Sequence, residues 1–204
     1  MGAALEDSDE QLVLLAKDGK LDAFNRLVDR HQGAVYGLCY RLLANREAAE
    51  DAAQETFLAA YRAMARFHGG SFRSWLLRIA ANESRDELRR SRRRPVMSLS
   101  SSDGQSEEEI DLPDHAPGAA DRIERLEMNA EVERLLLKLP FEQRQALVLV
   151  DVFDFQYDEV ATMTRTSIGT IKSRIHRGRE RLRQVIQTSP ELSGRLRSLE
   201  GRGN

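Results

Sequence analysis

The first 94 residues contain no proline, whereas three of the chain's five prolines (Pro95, Pro113, Pro117) fall within the next 23 positions. Proline removes a backbone donor and clashes with the preceding helical turn, so a long proline-free stretch with apolar residues at helical spacing is built of helices, and the cluster of prolines ends it. Glycines punctuate that stretch at Lys17-Asp18-Gly19 and at His68-Gly69-Gly70-Ser71, and four helices are expected between about residues 10 and 94. Residues 95 to 120 add the run Ser98-Leu99-Ser100-Ser101-Ser102 and many acids, too polar to pack a core. A second helical block starts at Asp121, with breaks expected at Leu139-Pro140, Asp154-Phe155 and Thr164-Arg165-Thr166, and ends near Gln187. No alternating strand pattern and no internal repeat is present. The expected fold is all-α: an N-terminal domain over 1–94, a flexible acidic linker over 95–120, a C-terminal domain over 121–187 and a polar tail over 188–204.

With 204 residues and 41% hydrophobic content the chain can fill two modest cores. No apolar run is long enough to span a bilayer, and Glu6, Asp7, Asp9 and Glu10 stand where a secretory signal carries positive charge, so a soluble cytoplasmic protein with no membrane insertion is expected. A single cysteine, Cys39, excludes an internal disulfide framework and reads as a buried thiol, not a redox centre. The four histidines (31, 68, 115, 176) are scattered, no Cys/His spacing suits zinc and no glycine loop cradles phosphate, so neither metal, cofactor nor catalytic residue is expected. The formal charge of -2 conceals opposed blocks: +6 over Arg66 to Arg94, -7 over Ser98 to Glu127 and +6 over Arg165 to Arg183. A single basic block is an ordinary solvated face as readily as a binding surface; two separated by an acidic spacer point to a polyanion such as nucleic acid.

Two faces run along the helix expected from about Arg46 to Met64. Ala53, Phe57, Ala60, Tyr61 and Met64 form an apolar stripe for the core. Glu47, Glu50, Asp51, Gln54, Glu55 and Leu58 line a neighbouring face, either a plain wet surface or a docking surface for a basic partner helix. The next helix, Phe72 to about Ser91, is expected to bury Phe72, Trp75, Leu76, Ile79 and Ala80, leaving Arg78, Asn82, Arg85, Arg89 and Arg92 as one polar stripe. Guanidinium groups pair with phosphates and asparagine can read a base edge. Before it, Arg66-Phe67-His68-Gly69-Gly70-Ser71-Phe72 sets two aromatics beside glycines, where unpaired bases could stack or insert; a turn flanked by two core phenylalanines is the alternative.

The C-terminal block has a sharper local pattern. Tyr157 to Met163 reads as a short helix, Thr164-Arg165-Thr166 as a turn, and Ser167 as the cap of a longer basic helix with Ile168, Ile171, Ile175, Gly178, Leu182 and Val185 inward. Short helix, tight turn and capped basic helix make a helix-turn-helix. Its open face carries Thr170, Ser173, Arg174, Arg177 and Arg181, with Lys172, Arg179 and Arg183 flanking toward phosphates.

In order and spacing, five stretches resemble the extracytoplasmic-function sigma factors, the two-domain promoter-specificity subunits of bacterial RNA polymerase: residues 22–28 (DAFNRLV), 50–58 (EDAAQETFL), 72–82 (FRSWLLRIAAN), 139–144 (LPFEQR) and 169–179 (GTIKSRIHRGR). The resemblance implies no reaction of the chain's own; it implies recruitment of core polymerase to promoters and opening of the duplex. Asp51, Gln54, Glu55 and Leu58 would meet the clamp coiled coil of the largest polymerase subunit. Phe67, His68 and Ser71 would capture a flipped base of the minus-ten element, and Arg78, Asn82, Arg85 and Arg89 would melt and read it. Ser167, Thr170, Lys172, Ser173, Arg174 and Arg177 would read the minus-thirty-five element. The partners implied are core RNA polymerase, promoter DNA both duplex and single-stranded, and an anti-sigma factor. Glu107, Glu108, Glu109 and Asp111 of the linker would thread the basic channel later used by template and RNA, a plain solvated acidic spacer being the alternative. A one-component helix-turn-helix regulator would explain the C-terminal block but not the acidic stripe or the aromatic loop. The chain departs from the family in its His68-Gly69-Gly70 loop, in Asp154-Phe155-Gln156-Tyr157 where a glycine-led turn is usual, and in the tail from Thr188.

Overall fold

The computed structural model describes residues 7–93 and 130–188, and every regular element among them is helical. The chain divides into two compact units, Met1–Ala116 and Pro117–Asn204. The linker and the tail beyond Thr188 lie outside the described residues, as does the expected channel-threading segment.

The first unit holds α1 (Asp9–Lys17), α2 (Leu21–Leu43), α3 (Arg46–Ala63), a single 3-10 turn at Met64–Arg66 and α4 (Phe72–Arg93). Ser8 opens α1 through a capping box with Gln11, each side chain satisfying the other's backbone amide. Asn45 caps α3 by accepting from the Ala48 amide at 2.8 Å. Between α2 and α3 the chain reverses at Ala44, whose φ of 60° is a left-handed conformation normally left to glycine. Leu12, Leu27, Val35, Leu38, Leu42, Leu76 and Leu77 are almost wholly buried where the four helices meet. Each such leucine contributes about 1.5–3 kcal/mol relative to exposure, which is the main reason these helices hold together.

α3 packs by a different face from the one its larger apolar residues suggest. Ala49, Ala52, Thr56 and Ala60 are buried, whereas Ala53 and Phe57 are only half-buried and Tyr61 is exposed. The small side chains let α3 approach α2 and α4 closely, and Thr56 satisfies its hydroxyl by donating to the Ala52 carbonyl at 2.6 Å. On α4, Leu77, Ala81 and Ser84 join Phe72, Leu76 and Ala80 inside, while Trp75 and Ile79 sit half-buried at the margin. The α4 stripe thus keeps its expected Phe72, Leu76 and Ala80 and widens by one residue, whereas α3 keeps only Ala60 and Met64 of its expected stripe and fills the rest of its contact with small side chains.

The second unit comprises α5 (described over 130–137), α6 (Phe141–Asp151), α7 (Tyr157–Thr164) and α8 (Ile168–Thr188). Residues 121–129, where this block is expected to start, lie outside the described residues. α6 is buried nearly all round, from Phe141 through Leu149, and is the post on which α8 packs. That contact requires Gly178: a Cβ there would stand 3.3 Å from Leu147 Cδ1 and 3.7 Å from the Gln143 carbonyl oxygen. Asp154 enters the α6–α7 turn at φ 60°, so this aspartate occupies the left-handed position that a glycine-led turn would supply.

Candidate polymerase and promoter surfaces

Glu47, Glu50, Asp51, Gln54, Glu55 and Leu58 all lie exposed along one side of α3. Leu58 is 41% exposed and Tyr61 47%, so the carboxylate row ends in an apolar tip. Glu50 is engaged by Arg46 at 3.0 Å, one turn earlier. Tyr61 is steadied by an edge-to-face contact with Phe24 of α2, ring centroids 5.0 Å apart. One side of α3 thus packs on α2 through Tyr61 and Phe24 while the carboxylate row faces solvent.

The loop between the 3-10 turn and α4 departs from expectation at its first residue. Phe67 is only 5% exposed and packs against Trp75 at 5.2 Å and Phe72 at 5.8 Å, so it is the floor of the loop and not a stacking surface. His68, Gly69, Gly70 and Ser71 are the exposed members. Gly69 and Gly70 adopt φ of 102° and 83°, open to glycine and strained for other residues, which explains the glycine pair. Ser71 caps α4, its hydroxyl accepting from the Ser74 amide at 3.2 Å. Beyond the loop, Asn82, Arg89 and Arg92 are exposed and Arg78 and Arg85 half-buried on one side of α4. Part of the positive charge on this helix is offset internally: Arg90 meets Glu87 at 2.9 Å and Glu83 at 3.8 Å, and Arg89 meets Asp86 at 4.0 Å. Burial, reinforced by Asp86, pushes the Glu83 carboxyl above its ordinary value, though Arg90 opposes the shift.

In the helix-turn-helix, α7 opens with a capping box between Gln156 and Glu159 and closes at Arg165, left-handed at φ 52°. Ser167 then caps α8, accepting from the Thr170 amide at 3.1 Å and lying 2.9 Å from the Thr170 hydroxyl. Ile171, Ile175 and Gly178 form the buried seam of α8. Off that seam, Ser167, Lys172 and Arg177 are exposed and Thr170, Ser173 and Arg174 partly so. Among the described residues Lys172, Arg174, Arg177 and Arg181 have no ion-pair partner. One expectation fails here, and two expected flanking arginines are engaged within the protein. Ile168, expected inward, is 45% exposed at the first position of α8. Arg179, expected to flank toward phosphate, is held by Asp151 of α6 through both carboxylate oxygens, at 2.6 and 3.1 Å. That hydrogen-bonded carboxylate raises the Arg179 pKa further, and Arg183 is likewise turned to Glu180 at 2.7 Å.

Residues 27–94 match the family model for sigma-70 region 2 and residues 129–182 that for sigma-70 region 4. The RNA polymerase sigma-H factor of Pseudomonas aeruginosa is 35% identical over 188 residues, covering 89% of this chain and 95% of that protein. The ECF RNA polymerase sigma factor SigW of Bacillus subtilis is 34% identical, covering 84% of this chain and 92% of its own length. The chain is an extracytoplasmic-function sigma factor. It is thus a transcription initiation factor and not an enzyme, and it directs RNA polymerase to promoters. Among solved structures, CnrH in complex with the cytosolic domain of CnrY is similar to this sigma factor with a TM-score of 0.61 and 27% identity, covering 90% of this chain and 99% of that one. The sigma factor RpoE of Bartonella quintana, solved with the anti-sigma factor NepR, shares the fold with a TM-score of 0.58 and 24% identity, over 80% of this chain and 96% of that one. No described helix of the sigma factor is long and apolar enough to cross a membrane. Sequence reasoning missed two features of the second unit: the exposed apolar Ile168 beside Ser167, and the buried Arg144, whose guanidinium stands 5.9 Å over the Phe141 ring and whose pKa is lowered by burial. The first was masked by its fit to the apolar spacing of α8; the second gave no signal beyond a motif position.

Proposed function

We propose that this sigma factor divides its work among three surfaces, acting in the cytoplasm. The row Asp51, Gln54, Glu55 and Leu58 docks on the clamp coiled coil of the largest polymerase subunit. The exposed loop His68 to Ser71, floored by Phe67, holds a base flipped from the minus-ten element, and Arg78, Asn82, Arg85 and Arg89 contact the opened strand. Ser167, Thr170, Lys172, Ser173, Arg174 and Arg177 enter the major groove at the minus-thirty-five element. An anti-sigma factor is a further partner, a reading supported by the sigma factor RpoE of Bartonella quintana, solved in complex with the anti-sigma factor NepR.

The observation that carries this reading is the contrast on α8: Arg179 and Arg183 are turned to carboxylates, while Lys172, Arg174 and Arg177 have no ion-pair partner among the described residues. Unmated cations on a capped helix of a helix-turn-helix are placed for phosphates and guanine edges. The deciding experiments are run-off transcription with purified core polymerase, which must depend on the added sigma factor, and a core pull-down with the Asp51→Arg, Glu55→Arg double variant. Core binding should fall by at least about tenfold while circular dichroism stays unchanged, because exposed-face charge reversals rarely cost much stability. Undiminished core binding would remove the docking assignment.

A further inference from the structure

The match to sigma-70 region 2 begins at residue 27, so α1 lies outside it. This helix is nevertheless tied at both ends to the frame of the base-holding loop. At its start, Asp9 Oδ2 lies 2.7 Å from His31 Nε2 and Asp9 Oδ1 receives Arg30 Nη1 at 2.6 Å. An ionised carboxylate only accepts, so His31 donates from Nε2. The His31 ring is buried, with its centroid 5.6 Å from that of Phe72. At the other end of α1 the Lys17 ammonium stands 5.7 Å over the Phe67 ring. Phe67 and Phe72 are the two posts of the loop, packed edge to face at 5.8 Å and both against Trp75. The span between them contains two left-handed glycines and no buried residue, so its shape depends on how its posts are held.

We propose that α1 is a brace for the base-holding loop, with Asp9, His31 and Lys17 as positioning residues that fix the Phe67–Phe72 frame and thereby sharpen which base the loop accepts. This rests on the loop assignment made under Proposed function. A site that discriminates bases must be held to within about half an ångström, and a glycine-rich span cannot supply that from its own backbone. Asp9 and Lys17 supply it from outside the loop, one through a buried ring and the other through a cation over an aromatic face.

The test uses holoenzyme reconstituted from the full chain and core polymerase, with a promoter set carrying each of the four bases in turn at every minus-ten position. Permanganate reactivity reports opening, and the readout is the ratio of best to worst base at the most discriminating position. Lys17→Met keeps the side-chain stem of an exposed residue and removes its charge; the ratio should fall about twofold to fivefold, the size of an exposed cation–π contact. His31→Phe keeps an aromatic ring against Phe72 but removes the donor to Asp9; the ratio should fall about tenfold, as for a lost hydrogen bond to a charged group. His31→Gln, which restores a donor near the Nε2 position, should recover part of it. If opening weakens equally for all four bases, or does not change, the ratio is constant and the brace is overturned. Should His31→Phe unfold the unit, seen as exposure of the buried Cys39 thiol, Lys17→Met decides alone. If the wild-type holoenzyme discriminates no base and His68→Ala opens promoters normally, the loop assignment itself fails and takes this inference with it.

Discussion

The two basic helices, α4 in the first unit and α8 in the second, come from blocks of equal charge, yet they carry it differently. On α4, Arg89 and Arg90 are paired with Asp86, Glu87 and Glu83, and Arg78 and Arg85 are half-buried. On α8, the only described ion pairs take Arg179 and Arg183, leaving Lys172, Arg174, Arg177 and Arg181 bare. Two arginines are paired on each helix, but on α4 the partners are the helix's own carboxylates whereas on α8 they include Asp151 of α6, and the arginines of the candidate stripe are half-buried at Arg78 and Arg85 on α4 against Arg174 alone on α8. Partly neutralised, partly buried arginines are suited to steadying a strand beside a specific loop. Bare cations on an exposed face are suited to a duplex, where attraction to phosphate dominates and falls steeply with salt.

The largest expected effect tests whether the two units are separable. Cys39 is the only cysteine, fully buried in the first unit, and burial pushes its thiol from 9.0 to about 11. Native protein at about pH 8 should react with a thiol reagent at least about a hundredfold more slowly than urea-unfolded protein, because the buried thiol holds that much less of the reactive thiolate. Gly178→Val, which forces a branched side chain against Leu147 and Gln143, should cost the second unit about 1–3 kcal/mol and leave the protection of Cys39 unchanged. Faster labelling of Cys39 in that variant, by stopped-flow thiol assay, would show that the units do not melt separately.

Arg174→Ala and Asn82→Ala should part the two basic helices. The first is expected to weaken binding of holoenzyme to upstream duplex by about 1–3 kcal/mol if the contact is to a base edge, with opening of a premelted template unaffected. The second should reduce permanganate-detected opening and leave upstream duplex binding intact. A reversed pattern would exchange the roles of α4 and α8.

Acid should distinguish the units as well. Burial alone would raise the Asp9 carboxyl, but hydrogen bonds from Arg30 and His31 and their charges outweigh it and hold Asp9 below its ordinary 3.8. A depressed folded value means that Asp9 contributes stability that is fully present above about pH 4 and lost as pH falls through the lower folded value. Asp9→Asn should therefore lower the stability of the first unit at neutral pH and flatten its decline below about pH 4, checked by urea titrations at a series of pH values. The smallest effect is expected at Ala44: Ala44→Gly removes the left-handed strain and should raise the stability of the first unit by at most about 1 kcal/mol, read as a higher melting temperature.

Helix existence, the breaks at Gly19, at Gly69-Gly70, at Pro140 and at Thr164-Arg165-Thr166, and the helix-turn-helix with its Ser167 cap were legible in the chain itself. Each depends on local chemistry: a glycine that permits positive φ, a proline that lacks a donor, a hydroxyl that accepts from an amide three residues on. Exposure of the acidic row on α3 was legible for a similar reason, since carboxylates do not enter a core unpaired. Which face each helix buries was legible only in part: Ile171, Ile175 and Gly178 of α8, Phe72, Leu76 and Ala80 of α4, and Ala60 and Met64 were expected inside, but the middle of α3 was not. Ala49, Ala52, Thr56 and Ala60 win over Phe57 and Tyr61 because the partner helices lie close enough to exclude large side chains, and that distance is a property of the assembled unit. The same applies to Phe67 under its loop, Ile168 in solvent, Arg179 on Asp151 and His31 between Asp9 and Phe72. Their surroundings are supplied by other elements of the chain, and only packing brings those elements together.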